Sequence, residues 1–516
     1  MRSKILPIGS EKKEGFVPIP DIKPVVFLRG SPEEMGYQYG FQAAAYIQKV
    51  LNGIWDSALR ACGGDRKLVE KYLEKYEQAL LDQLPDFAPH AIEQIRGTAK
   101  GCSAAGYNID YTDIWLACNK TGLLWALPSE KQLESEVMGC SMMTAWGSAT
   151  KDRNPIGAQN RENAPSYWGY EVVLISYPKE GYGYATIGIP TAGSGIHEVW
   201  FMNEKGLTQV VTNGMGRRPE DRGFGVGYEM MVWAVSRTCA NTKEAIDLVT
   251  GTQKTMAVNY GYIDENGNGI VAEASHDFNY VRYPGDYGET DWIHSTARHF
   301  IIPEAEVGYA EKPRRGSSPY LRYFTYHRLI EENFGKIDFD VVKKIVTCHD
   351  SYDPDRDEWS YGVEWEERTP CAHSMEEGWG AQSPTITLPK DRVAFIGSGS
   401  VCGDPRCAMG ATGEYVKLTL RDTPRDVVSE AKQVAMHDIH TAIVSLREVK
   451  DSGWYIWLRN RIEEAWEYYY RGQNSLVNAG IAEDTNAELI YFGEAATHFC
   501  KAQAYSKQVK TRANRL

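Results

Sequence analysis

Apolar residues recur at helical spacing through the first part of the chain. Ser31 and Glu34 form a capping box with Pro32 at the first helical position, and the helical pattern that follows extends to about Cys62. The same spacing predicts further helices at about 67–82, 88–104 and 111–119. The N-terminal part is therefore expected to be mostly helical, and the polar stretch 128–136 after it to be an exposed connection.

Short apolar runs separated by glycines replace the helical pattern after Met138, as is typical of β-strands. Strands are predicted at about 140–147, 171–177, 183–189, 198–203, 207–213, 256–264, 269–275 and 392–396. Helices are predicted between and after them, at about 228–249, 319–332 and 339–348. From Thr423 onward the spacing is helical again, so the order is helices, then strands with inserted helices, then helices.

Length and charge narrow the class of protein. The chain has 516 residues, 42% of them hydrophobic, which suits one large enzyme-like domain or two to three smaller ones. A formal net charge of -13, with the acidic residues scattered along the chain, disfavours nucleic acid and anionic membranes as partners. Pro7 interrupts the apolar run near the start, and no later apolar run is long enough to span a membrane. We therefore expect a soluble, cytoplasmic protein.

The ten cysteines are spread along the chain, without the dense spacing of a disulfide-stapled domain. Mostly reduced thiols are therefore expected. Cys371, His373, Cys402 and Cys407 lack the paired two-residue spacing of structural zinc sites, so no metal site is predicted from them. No external cofactor is predicted either.

Cys140 stands out among the cysteines because it begins a predicted strand directly after the polar connection. If the bond between Gly139 and Cys140 is cut, Cys140 gains an α-amine with an ordinary pKa of about 7.7 to 8.0. Such an amine can accept the thiol proton, so one residue would supply both the nucleophile and the general base. Glycine at position 139 would leave the thiol an open approach to the carbonyl carbon. The sequence therefore suggests a precursor that cleaves itself.

Several segments of the chain, the Gly139-Cys140 pair among them, show recognisable motifs. They are 29–36 with Tyr39 and Gly40, 139–140, 158–162, 203–207 followed by Asn213, and, more weakly, 293–300, 318–322 and 371–373. In order and spacing they resemble the isopenicillin N acyltransferase-like branch of the Ntn (N-terminal nucleophile) hydrolases, relatives of penicillin V acylase and bile salt hydrolase. The resemblance covers about residues 26–405.

The resemblance implies an α+β fold, the four-layer αββα sandwich of the Ntn hydrolases. A helical pro-region, residues 1–139, would become the small fragment after self-cleavage. Residues 140–422 would form the core, and residues 423–516 a helical C-terminal extension packed on it. The implied activity is cleavage of a linear C–N amide bond, other than a peptide bond, through a thioester. The implied partners are a small-molecule amide and the two fragments of the chain itself, with a homo-oligomer left open.

The resemblance also implies roles for individual residues. Cys140 would attack the carbonyl, and Asn213 would donate to the oxyanion of the tetrahedral intermediate. Glu162 would accept from the Cys140 ammonium. Arg161, or Arg322 from a later helix, would orient the nucleophile or bind a substrate carboxylate.

Two positions depart from the family pattern. Glu162 stands where an aspartate is usual, and Arg298-His299 stands where relatives often have Asn-His. Arg298, His299 and Arg322 are therefore candidate contacts for an anionic substrate, although the departures also fit a lost activity.

Three alternatives remain open. An acyltransferase would pass the thioester to an amine instead of water. A catalytically silent binding protein with the same fold would stay uncut. A papain-like peptidase would need a histidine base near Cys140, and the sequence offers none in a recognisable context.

Overall fold

The computed structural model describes residues 22–126, 140–163, 169–198, 200–214, 221–297, 318–362, 369–371, 373–374, 379–381, 383–399, 401–402 and 413–516. The helices in these ranges are α1 Pro32–Ala61, α2 Arg66–Gln83, α3 Ala88–Ala104, α4 Tyr111–Cys118, α5 Lys120–Ala126, α6 Tyr228–Thr238, α7 Thr242–Gly251, α8 Ser318–Glu332, α9 Phe339–Val346, α10 Pro424–Glu448, α11 Tyr455–Gly480 and α12 Thr485–Ala513. None of these helices combines the length and apolar character that crossing a membrane requires.

Two large β-sheets form the centre of the described structure. The first contains, in chain order, β1 Val25–Gly30, β4 Val173–Pro178, β5 Thr186–Ile189, β6 Trp200–Asn203, β7 Thr208–Asn213, β8 Val258–Ile263, β9 Gly269–Ala274 and β10 Asn279–Arg282. Its spatial order is the same as its chain order, and only the β1–β4 pair is parallel among the pairings described for it.

The second sheet has the order β11-β2-β3-β16-β17-β18. Its strands are β2 Cys140–Ala145, β3 Ile156–Asn163, β11 Trp292–Thr296, β16 Thr385–Leu388, β17 Val393–Ile396 and β18 Val416–Thr419. The short strands β14 His373–Ser374 and β15 Trp379–Ala381 extend it beside the end of β3, and β12 Ser351–Asp353 pairs with β13 Glu358–Ser360 separately.

Alternating side chains show how the layers stack. On β1, Leu28 packs into a core shared with the helices α1, α3, α6 and α7, whereas Phe27 packs into the core between the sheets. On β2, Met142 faces the first sheet and Met143 faces α8 and α9. The layers are therefore helices, sheet, sheet and helices. The predicted α+β class and four-layer αββα sandwich are confirmed.

The C-terminal helices cover one edge of the sandwich. Helix α12 packs against the edge strands β1 and β18 of the two sheets. The Thr497 hydroxyl accepts from the Val25 backbone N–H at 2.9 Å, and the Gln503 amide accepts from the Lys417 N–H at 2.8 Å and donates to its carbonyl at 3.2 Å. These bonds satisfy backbone groups that an open sheet edge would expose.

Glycines allow α1 and α3 to pack with their backbones nearly in contact. A Cβ atom added at Gly40 would lie 2.0 Å from the Thr98 carbonyl oxygen, and one added at Gly101 would lie 2.1 Å from the Tyr37 carbonyl oxygen. Gly36 and Gly97, one helical turn earlier on each helix, are equally crowded. No other residue fits at these positions without moving a helix.

Most predicted helices and strands are present, with two kinds of difference. The predicted helix at 228–249 is two helices, because Cys239 has extended backbone dihedrals and the Asn241 side chain caps a new helix by accepting from the Glu244 N–H at 3.0 Å. In the two large sheets the pattern also missed strands β1, β3, β10, β11, β16 and β18. Strands β10, β16 and β18 have only four residues each, and β1 lies within the predicted helical pro-region. The predicted connection at 128–136 lies outside the described residues.

Candidate active site

Cys140 is the first residue of β2, and Arg161 of β3 lies opposite it in the antiparallel register. The side chain of Cys140 is buried. Gly139, the other half of the predicted cleavage site, lies outside the described residues. The charged residues closest to the thiol come from β3 and α8.

The pKa of the Cys140 thiol is raised to about 11, mainly by burial and secondly by the charge of Glu162. The backbone N–H of Glu162 and the cations of Arg161 and Arg322 act in the opposite direction. A thiol with this pKa is protonated at neutral pH and is a poor nucleophile until a base removes the proton. The site therefore needs a base close to the sulfur.

A buried network of charges holds Arg161. Its Nη1 lies 2.6 Å from a carboxylate oxygen of Glu171, and its Nη2 lies 2.8 Å from Oε1 of Glu198. Lys120 lies 3.0 Å from that same Glu198 oxygen, and Lys23 lies 3.4 Å from the other oxygen of Glu171. All five side chains are buried. Because buried charges are costly unless paired, these contacts fix the Arg161 guanidinium in one position opposite Cys140.

The two carboxylates of this network are anchored by hydrogen bonds as well. Glu198 accepts from the Thr191 N–H at 3.0 Å and from the Ser194 hydroxyl at 2.8 Å, and the Ser383 hydroxyl donates to Glu171. Burial opposes ionisation of Glu198, but Arg161 and Lys120 together hold its pKa below the usual range. Glu198 is therefore a carboxylate at neutral pH.

Glu162 forms an ion pair with Arg322 of α8. Nη1 of Arg322 lies 2.5 Å from each carboxylate oxygen of Glu162 and 3.2 Å from the Ser141 hydroxyl. Both charged side chains are almost fully buried. Glu162 and Arg322, which were separate candidates in the sequence, therefore form one pair in the structure. This pair lies beside Ser141, the residue that follows Cys140.

Asn213 is the last residue of β7, in the sheet that faces Cys140. The Thr212 hydroxyl donates to the Thr296 carbonyl at 3.0 Å, and Thr296 is the register partner of Ser141. The Val211 N–H donates to the Gln159 side chain of β3 at 2.9 Å. These bonds between the sheets bring the end of β7, and with it Asn213, to the end of the second sheet where Cys140 begins β2.

Sequence reasoning missed several residues around the site. Lys23 and Lys120 carried no signal, because a single lysine in a helical or extended stretch usually faces solvent. Glu171 and Glu198 offered a weak signal, since each is an acidic residue at the start of a predicted apolar strand. Tyr228, at the start of α6, is close enough to the site that the charges of Glu198, Arg161 and Cys140 affect its pKa, which burial raises.

Two further groups of residues were considered from the sequence. Arg298 and His299 lie outside the described residues, so their contact with a substrate stays a prediction. Cys371 and Cys402 lie together, and His349 joins them; one potential ligand atom from each lies within 4.8 Å of the others. In the sequence analysis the two cysteines were grouped with His373 and Cys407 instead, and no metal site was predicted from that group.

Comparison with known proteins gives a match in the central part of the chain. Residues 149–288 match the family described as acyl-coenzyme A:6-aminopenicillanic acid acyl-transferase. The predicted family resemblance is confirmed. The segment assigned to this acyl-transferase family contains β3 with Arg161 and Glu162, and β7 with Asn213.

A curated relative of the chain is an uncharacterized protein of Archaeoglobus fulgidus, which is 24% identical over 352 residues. The alignment covers 63% of this chain and 57% of that relative. The chain therefore spans little more than half of the relative's length.

Solved structures with some similarity include a mutant conjugated bile acid hydrolase from Clostridium perfringens, at 12% identity and a TM-score of 0.33, covering 50% of this chain and 89% of that one. Penicillin V acylase from Agrobacterium tumefaciens is 10% identical with a TM-score of 0.26, covering 51% of this chain and 75% of that one.

Proposed function

We propose that the protein is an N-terminal-nucleophile enzyme that cuts its own chain before Cys140 and then acts on a linear amide C–N bond through a thioester on that residue. The observation that carries the proposal is the position of Cys140. Its thiol is buried at the start of β2, opposite a fixed arginine, at the end of the sandwich where β7 delivers Asn213.

The raised pKa of the thiol supports an N-terminal amine as the base. A thiol with a pKa of about 11 carries its proton at neutral pH. An α-amine on the same residue has an ordinary pKa of about 7.7 to 8.0 and would lie within reach of this proton. Once protonated, that amine would favour the thiolate by its positive charge.

Maturation would follow from the same thiol. The sulfur of Cys140 attacks the carbonyl carbon of Gly139, and the C–N bond breaks as the nitrogen takes up a proton. The result is a thioester between Gly139 and the Cys140 side chain. Water then attacks this thioester, which leaves a carboxylate on Gly139 and returns the thiol to Cys140, now with its own amine.

Turnover would use the two groups of Cys140 in sequence. The amine takes the thiol proton, and the sulfur attacks the carbonyl carbon of the substrate amide. Asn213 donates to the resulting oxyanion, a contribution of roughly 3 to 4 kcal/mol in comparable sites. The ammonium then protonates the leaving amine as the C–N bond breaks. Water attacks the thioester, releases the acid and restores the thiol.

The charged residues beside Cys140 would orient the nucleophile and influence its charge without reacting themselves. Arg161 is held by Glu171 and Glu198, so its cation can favour the thiolate without moving. The Arg322–Glu162 pair places a guanidinium on the Ser141 hydroxyl and so fixes the residue that follows the nucleophile. Cys140, Asn213, Arg161 and Glu162 are accordingly the residues that we assign to the reaction.

Acyl transfer is the second candidate, favoured by the family match in residues 149–288. It shares every step up to the thioester and differs only in that an amine, instead of water, attacks it. Competition between water and added amines therefore distinguishes the two functions without changing the protein.

Intact-mass analysis and N-terminal sequencing of purified protein test the first half of the proposal. The wild-type chain should give fragments of residues 1–139 and 140–516, the second beginning Cys-Ser-Met-Met. Cys140→Ala should stay whole and inactive. Cys140→Ser should still be cut slowly but turn over poorly, because a hydroxyl is a weaker nucleophile than a thiolate.

Hydroxylamine tests the second half. Added to wild-type enzyme with a panel of N-acyl amides, it should intercept the thioester and give the acyl hydroxamate at the expense of the acid. An acyltransferase would give the new amide when an acceptor amine replaces hydroxylamine. Wild-type protein that stays whole yet hydrolyses an amide would overturn the N-terminal amine as the base, and whole, inactive protein would favour a silent binding protein.

A further inference from the structure

Three side chains from separate parts of the chain meet beside the second sheet. His349 follows α9, Cys371 belongs to the short segment 369–371, and Cys402 follows β17. One potential ligand atom from each, a ring nitrogen and two sulfurs, lies within 4.8 Å of the other two. Both cysteines are in the reduced form, Cys371 is buried, and the other two residues are half-buried.

The spacing of these atoms suits a small tetrahedral ion. Zinc binds cysteine sulfur at about 2.3 Å and histidine nitrogen at about 2.0 to 2.1 Å, which places the ligand atoms about 3.5 to 3.8 Å apart. The observed upper limit of 4.8 Å requires only small side-chain rotations to reach that arrangement. Thiolate and imidazole ligands together select zinc over the hard cations calcium and magnesium.

The charge balance also suits a partly buried site. Two thiols lose their protons when the ion binds, so two thiolates and a neutral imidazole around a divalent cation carry no net charge. A neutral assembly costs little to bury, whereas an unbalanced ion at this depth would be expensive.

Backbone contacts already hold two of the ligand segments together. The Cys371 N–H donates to the Cys348 carbonyl at 3.0 Å. The Asn160 side chain donates to the Val346 carbonyl at 2.7 Å and to the Pro370 carbonyl at 2.8 Å. Asn160 directly precedes Arg161 on β3, so the ligand segments rest against the strand that lies opposite Cys140.

We propose that His349, Cys371 and Cys402 bind one zinc ion, with a water molecule as the fourth ligand. The ion ties the end of α9, the segment 369–371 and the stretch after β17 to one another, and Asn160 connects two of them to β3. Cys140 is not among the ligands. The site is therefore separate from the proposed nucleophile, and its existence does not depend on the proposed amide chemistry.

Metal analysis of the purified full chain tests this site directly. After dialysis against metal-free buffer, wild-type protein should retain about one zinc per chain, as expected for a protein site with several thiolate and imidazole ligands. His349→Ala, Cys371→Ser and Cys402→Ser should each lose most of it. Cys348→Ser is the matched control, because Cys348 is adjacent to His349 but outside the cluster, and it should keep the ion.

Cobalt provides a measurement that does not depend on any variant folding. Zinc is removed from wild-type protein with a chelator under reducing conditions, and Co²⁺ is added in its place. Two thiolate ligands should give a sulfur-to-cobalt charge-transfer absorption together with the visible bands of tetrahedral Co²⁺, and added zinc should abolish both. Cys140→Ala should give the same spectrum, because Cys140 is not a ligand.

Three results would overturn the proposal. The first is wild-type protein that retains no zinc and gives no thiolate–cobalt absorption. The second is an equal loss of zinc in Cys348→Ser and in the ligand variants. The third is a Cys371–Cys402 disulfide in native protein, found by peptide mapping, which would leave no thiolates for the ion.

Discussion

Asn213 illustrates how bonds made by neighbouring residues help to position a single side chain. Its neighbours Thr212 and Val211 are bound to Thr296 and Gln159 of the facing sheet. A substitution at position 213 should therefore leave the packing of the two sheets intact. Because a variant at position 213 should keep the fold, any loss of activity can be attributed to the lost side-chain donor.

We expect Asn213→Ala to fold and to mature, but to turn over an amide substrate about 10²- to 10³-fold more slowly, the usual cost of removing one oxyanion donor. The measurement is kcat with the same substrate for both proteins. Asn266→Ala, an exposed asparagine in the turn between β8 and β9, should match the wild type. Full activity of the Asn213 variant would exclude this residue from the site.

The buried ion pair of Glu162 with Arg322 can also be tested by a single substitution. Glu162→Gln leaves a buried guanidinium without its countercharge, which should lower the free energy of unfolding by about 3 to 5 kcal/mol. Chemical denaturation measures this best in the uncut Cys140→Ala chain, where unfolding involves one polypeptide. Maturation and activity should also suffer in the wild-type background.

A surface pair on the same helix provides the comparison. Arg328 and Glu332 of α8 form an exposed ion pair at 3.0 Å, and Glu332→Gln should change the free energy of unfolding by less than about 1 kcal/mol. Equal, small effects of the two glutamine variants would show that the buried pair contributes no more than a solvated one.

Helices α1 and α3 pack closely because glycines line their contact. Gly40→Ala adds a methyl group that would lie 2.0 Å from the Thr98 carbonyl oxygen, so the helices must separate. Overpacking of this kind typically costs about 1 to 3 kcal/mol, which exceeds the gain in helix propensity from replacing glycine. We expect a lower melting temperature, measured by calorimetry.

Gly53 of the same helix is the matched control. A Cβ atom there would meet no atom within 4 Å. Gly53→Ala should therefore stabilise the protein by about 0.5 to 1 kcal/mol through helix propensity alone. If Gly40→Ala stabilised the protein as Gly53→Ala does, the close approach of α1 and α3 would be wrong.

At the scale of the whole molecule, the first fragment after cleavage would remain part of the sandwich. Residues 25–30 form a strand of the first sheet, and α1 and α3 cover its outer face. Lys23 and Lys120 pair with Glu171 and Glu198 on the other side of the proposed cut. Dissociation would expose the apolar face of the sheet and unpair buried charges.

We therefore expect the two fragments to co-elute in size-exclusion chromatography under native conditions and to separate only in denaturant. Uncut Cys140→Ala should elute at the same volume as the cut wild type, because cleavage changes the covalent chain but not the packing. Elution of an active 140–516 fragment by itself would contradict this expectation.

Much of the architecture could be read from the sequence, because helices and buried strands leave a local period. Ser31, Pro32 and Glu34 indicated the start of α1, and glycine-separated apolar runs located most strands of the first sheet. Short edge strands such as β18 were missed because four residues carry too little periodicity. The single helix predicted at 228–249 was wrong because the break at Asn241 depends on one capping bond.

The sequence by itself determined the family resemblance, which implied the four-layer fold, and the choice of Cys140 and Asn213, because motif order and hydrophobic period are properties of neighbouring residues. Only the tertiary structure decided that Lys23 and Lys120 belong with Arg161, that Glu162 pairs with Arg322, and that His349 joins Cys371 and Cys402. The physical reason is that packing decides which distant segments come within a few ångströms of a buried charge or thiol. These partners are far apart along the chain, so their pairing leaves no local sequence pattern.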